Sequence, residues 1–162
     1  MTCRPVRFSR AKLLVVGVVA FSLFAGCSQS HSPATARNSV EAKAAFVRRA
    51  DKICKRGEQE TEAEVKAAAA KYGLTRGKGP TSAQREALLV EVVVPSIKKQ
   101  AAELAELPPP PGEGETVKAV ILSIEEGVEK TEDEPALGLR QPGPFARTHK
   151  LAKAYGFKVC GR

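Results

Sequence analysis

The segment LLVVGVVAFSLFAGC, residues 13–27, divides this chain before any fold can be considered. Leu13 to Ala25 carry no charge, and the twelve residues before them hold Arg4, Arg7, Arg10 and Lys12 with no acid. A basic stretch followed by a short apolar run is the layout of a secretory signal. A spanning helix needs about 20 apolar residues, so this run is too short for a comfortable permanent anchor. After Cys27 the sequence turns to SQSHSPATAR, which cannot prolong an apolar helix. The pattern predicts a signal peptide over 1–26, a short flexible tether over 27–37 headed by Cys27, and one folded domain over 38–162.

Leu23, Phe24, Ala25, Gly26 and Cys27 resemble the lipobox of bacterial lipoprotein precursors, with Phe24 where leucine is commonest. The resemblance implies that the Cys27 thiol takes a diacylglyceryl group with palmitate-type fatty chains, and that the chain is cut after Gly26. Each buried methylene contributes about 0.8 kcal/mol, and two chains suffice for stable anchoring. The domain would then sit on the extracytoplasmic face of the cell membrane. The competing reading is an ordinary secretory signal, or an uncleaved anchor, with a chance cysteine.

Four of the 26 basic residues and none of the 18 acids lie in the signal, so cleavage lowers the net charge from +8 to +4. That excess is too small to argue for nucleic acid. Aromatic residues are 5 % of the chain and tryptophan is absent. Small side chains bury little apolar area each, which predicts a thin core and a need for a covalent staple. Cys3 falls in the signal and Cys27 is assigned to lipid, leaving Cys54 and Cys160 as a pair in an oxidising compartment. Two free buried thiols or a metal site are the alternatives.

Helical periodicity accounts for most of the rest. Asn38 and Glu41 have capping-box spacing, and Phe46, Val47, Ala50, Ile53, Cys54 and Gly57 fall in one sector of a helix that reaches Tyr72. Ala83, Ala87, Val90, Val94, Ile97, Ala101 and Leu104 form the seam of a second helix, from about Ser82 to Leu107, with a kink near Pro95. Val117, Val120, Ile121, Ile124 and Val128 mark a third. Its acidic end, Glu125 to Glu134, has the wrong sign for the helix dipole, which predicts fraying before Pro135. A fourth helix runs through FARTHKLAKAY, with Pro144 before it and Gly156 after it. The pattern predicts an all-α fold, a four-helix antiparallel bundle with one disulfide.

The strings FVRRADKIC (46–54), LAELPPPPGEGE (104–115) and LAKAYGFKVCG (151–161) resemble recurring segments of small helical two-cysteine domains in exported actinobacterial proteins. The resemblance implies a Cys54–Cys160 pair and a helical fold, and carries no assigned activity.

Candidate chemistry is sparse. Ser96 and Lys99 have the S-x-x-K spacing of penicillin-binding enzymes, but the partner tripeptides S-D-N and K-T-G do not occur. His149 has only Thr148 beside it, and a zinc site from His149, Cys54 and Cys160 would be one ligand short. The acids from Glu125 to Glu134 lack a calcium-loop pattern. The most suggestive feature is a basic face on the first helix. Arg48, Arg49, Lys52, Lys55 and Arg56 lie opposite its apolar sector, where they could meet anionic head groups, wall polymers or envelope proteins. Asp51 and the acids from Glu58 to Glu64 would partly neutralise it.

These residues predict a lipid-anchored domain with a structural, accessory or binding role, no catalysis, no cofactor and no metal. The alternative is a small carrier that binds an apolar ligand or lipid between the second and third helices.

Overall fold

The computed structural model describes residues 33–72, 74 and 79–162. The apolar run, Cys27 and the head of the tether lie outside the described residues. Among the described residues every regular element is helical: α1 (Pro33–Lys71), α2 (Ser82–Leu88), a π segment (Leu89–Val93), α3 (Val94–Ala105), α4 (Gly114–Asp133), α5 (Pro135–Gly138) and α6 (Ala146–Tyr155).

The first helix starts earlier than its capping-box spacing suggests. Asn38 is interior to α1, and residues 33–37 of the expected tether are already helical. Proline is tolerated in a first helical turn and Ala34, Ala36 and Arg37 are good helix formers, so the helix can reach back to Pro33. The apolar stripe is as predicted, with Phe46 and Ala50 at 1 % and 0 % exposure and Ile53 and Cys54 also buried. Further along, Thr61, Val65, Ala68 and Tyr72 are half-buried.

Helical backbone continues through Pro95. The Val94 N–H donates to the Leu89 carbonyl, one residue further back than in an α-helix. This wide turn sets Pro95 in the first turn of α3, where a missing N–H costs least. The extra residue also rotates the buried face. Val94, Ala101 and Leu104 are buried as expected, but before the wide turn Leu88 is buried in place of Ala87, and Ala83 is exposed.

Packing runs from α1 to α3, from α3 to α4 and from α4 to α6. A β-carbon on Gly57 would lie 2.1 Å from Gln100 Cδ, so α1 and α3 meet closely at that glycine. The Thr148 hydroxyl donates to the Ser123 carbonyl (2.8 Å) where α6 crosses α4. One core holds Phe46, Ile53, Val94, Leu104, Val120, Ile124, Val128, Tyr155 and Phe157.

The acidic end of α4 does not fray. The helix stays regular to Asp133, and α5 follows at once. Thr131 is fully buried with its hydroxyl on the Gly127 carbonyl, and Lys98 of α3 pairs with Glu132 (2.7 Å). Packing and a neighbour's cation offset the unfavourable dipole at this end.

Candidate functional site

Cys54 and Cys160 form the disulfide, with Cα atoms 5.4 Å apart, so neither is free for zinc. Two further devices hold the C-terminal segment on α1. Gly156, at φ 112°, ends α6 in a left-handed turn, and Phe157 N–H donates back to the Ala152 carbonyl. This turn stacks Phe157 on Tyr155 and Phe46, with ring centroids 5.0 to 6.1 Å apart. The Asp51 carboxylate accepts from the backbone N–H groups of Lys158, Val159 and Cys160 at 2.8 to 3.2 Å. Asp51 therefore caps the C-terminal turn. Burial and the Glu113 carboxylate push the Tyr155 hydroxyl up to about 12. Lys43 sits 4.2 Å from the centre of the Tyr155 ring and 3.1 Å from Glu113.

Beside the disulfide lies a cleft of about 580 Å³, within the range of small-molecule sites. Val93, Ile97, Leu104, Ile124 and Val159 supply aliphatic surface, and the 138–146 loop and the start of α6 form one wall. That wall is fixed at two points. A β-carbon on Gly138 would strike Leu89 and Thr131, and one on Gly127 would strike the Phe145 ring. Charged groups at the cleft include Glu58, Glu62, Arg140 and Arg162. Glu58 pairs with Arg162 (3.4 Å) and Glu62 with Lys66 (2.6 Å). Arg140 has no side-chain partner among the described residues. Between α3 and α4, where the sequence suggested a carrier site, there is a smaller groove of about 330 Å³ lined by Ala101, Ala102, Ala105 and Val128 under Lys98 and Glu125, Glu129 and Glu132.

All five cations of the basic face are exposed. Arg56 pairs with Glu60 and Glu103, whereas Arg48, Arg49, Lys52 and Lys55 form no ion pair among the described residues. Asp51 turns to the C-terminal backbone, Glu58 pairs with Arg162, Glu60 with Arg56 and Lys99, and Glu62 with Lys66, so neutralisation by these acids reaches Arg56 but none of the other four cations. Lys99 holds the Glu60 carboxyl below the usual carboxylate range through a 2.7 Å hydrogen bond.

Ser96 and Lys99 are not brought together. Ser96 is buried with its hydroxyl 2.6 Å from that of Thr61, while Lys99 is exposed on Glu60. His149 is exposed at the cleft, with no carboxylate bonded to it among the described residues. The sequence reading missed the role of Asp51 and the cleft itself. An acid at the edge of an apolar helical sector was the one available sign of the former.

No family model, no curated protein and no solved structure matches this chain. Class and function therefore rest on the residues alone.

Proposed function

We propose that this is a lipid-anchored, extracytoplasmic, non-catalytic helical module with an accessory or binding role at the cell envelope. The observation that carries the reading is the Cys54–Cys160 disulfide, which suits an oxidising compartment, taken with the signal-like segment that ends at Cys27. In this reading, residues 1–26 are removed and Cys27 bears the lipid. Only five residues of sequence, Ser28 to Ser32, then lie between it and the first described residue of α1. The domain would stay near the head groups, with Arg48, Arg49, Lys52 and Lys55 available to anionic lipid, wall polymer or an envelope protein. The sequence of neighbours α1, α3, α4 and α6 supports an antiparallel four-helix bundle.

The test is fractionation of cells that express the chain with Cys27 intact or changed to alanine. The intact chain should remain with membranes after a high-salt wash, and Cys27→Ala should lose that retention. Equal retention of both would remove the lipid anchor. The 580 Å³ cleft favours a second reading, a carrier of an apolar or amphipathic ligand.

A further inference from the structure

We infer that the cleft beside the disulfide binds a single-chain anionic amphiphile, with an aliphatic tail along Ile97, Leu104 and Ile124 and a carboxylate at Arg140. The inference rests on the carrier reading and names its ligand class.

The surface chemistry selects the tail. The apolar lining is almost wholly aliphatic; among the described residues the rings at the cleft are Phe145 and the exposed imidazole of His149. A sugar or a flat heterocycle would find little to stack on, whereas a flexible hydrocarbon gains wherever it covers aliphatic surface. The charges select the head. Two acids and one arginine at the cleft already have partners, which leaves Arg140, among the described residues, as the arginine free to receive an anion. Its guanidinium presents a planar donor fork that matches a carboxylate. A cationic head would meet no unpaired acid among the described residues of the cleft, because Glu58 and Glu62 are engaged.

The site is also preformed. Helices α1, α3 and α4 supply Cys54, Ile97, Leu104 and Ile124 to the lining, and the disulfide fixes Cys160 at one edge. Gly138 and Phe145 seat the wall against Leu89, Thr131 and Gly127. Less ordering is then needed on binding, which favours affinity for a flexible ligand.

The experiment uses the full chain in its own membranes with two photoreactive probes, a diazirine-bearing dodecanoate and the matching dodecanol. Cross-linked peptides are mapped by mass spectrometry. The carboxylate should label peptides that contain Ile97, Leu104 or Phe145, and should do so about threefold more than the alcohol, as suits one partly exposed ion pair. Arg140→Gln should reduce carboxylate labelling to the level of the alcohol. Ile97→Trp, which fills the aliphatic surface, should diminish both, with Cys54–Cys160 formation checked as the sign of correct folding. Equal labelling by both probes in the unaltered chain would overturn the anion assignment while leaving a carrier. Absence of both probes from these peptides would overturn the carrier reading as well.

Discussion

The two halves of α1 meet their neighbours in different ways. From Phe46 to Gly57 the helix is gripped by an aromatic cluster, a disulfide, a carboxylate that accepts three backbone N–H groups, and a glycine-mediated approach to α3. From Glu58 to Lys71 its buried-side residues are only half covered. Here it is tied to the second helix mainly by polar contacts: Lys99 to Glu60, Lys71 to Glu91, and Gln84 to the Tyr72 carbonyl. Exposed ion pairs contribute little and screen readily, so the first half should carry the stability and the second should open first. The cleft lies along this boundary, with Cys54 on the firm side and Thr61 on the looser one.

Breaking the staple should have the largest effect on that contrast. Changing Cys54 and Cys160 together to serine releases a constraint of 106 residues, and the loop-entropy model gives about 4.7 kcal/mol for that size. The midpoint of urea unfolding should fall accordingly. Asp51→Asn comes next. It keeps the shape but weakens acceptance from three N–H groups, and should cost about 1 to 2 kcal/mol in the same measurement.

A smaller effect should appear in alkali. Tyr155 holds its proton to about pH 12 in the folded chain, whereas an unfolded tyrosine releases it near 10. The unfolded state thus binds fewer protons between those values, and stability contributed below pH 10 should be lost as pH rises toward 12. Tyr155→Phe should lack this component of the alkaline loss in thermal melts. The smallest effect belongs to the looser half: Lys71→Ala should leave the melting temperature unchanged within error, despite the 3.1 Å pair with Glu91.

The same division marks what was legible in the sequence. Phe46, Ala50, Ile53 and Cys54 announce a buried stripe through helical spacing alone, and the paired cysteines follow from the compartment that the first 27 residues imply. The wide turn at Leu89–Val93 was hidden, because Val90, Val94 and Ile97 keep their four-three spacing whether or not an extra residue is accommodated before Pro95. The Val94 to Leu89 hydrogen bond and the exchange of Leu88 for Ala87 in the core reveal it. The continuous end of α4 was hidden as well, since its stability comes from Lys98 and from packing around Thr131, both remote from the local run of acids. The cleft depends on the 138–146 loop folding onto α4 and the π segment, a relation that no local pattern encodes.

The central claim is that Cys27 joins this disulfide-stapled domain to a membrane, and the mass of the N-terminal peptide of the mature protein, extracted from membranes, tests it most directly. The account predicts a peptide that begins at Cys27 and carries diacylglycerol on its sulfur. A peptide that begins elsewhere, or an unmodified thiol at Cys27, would contradict it.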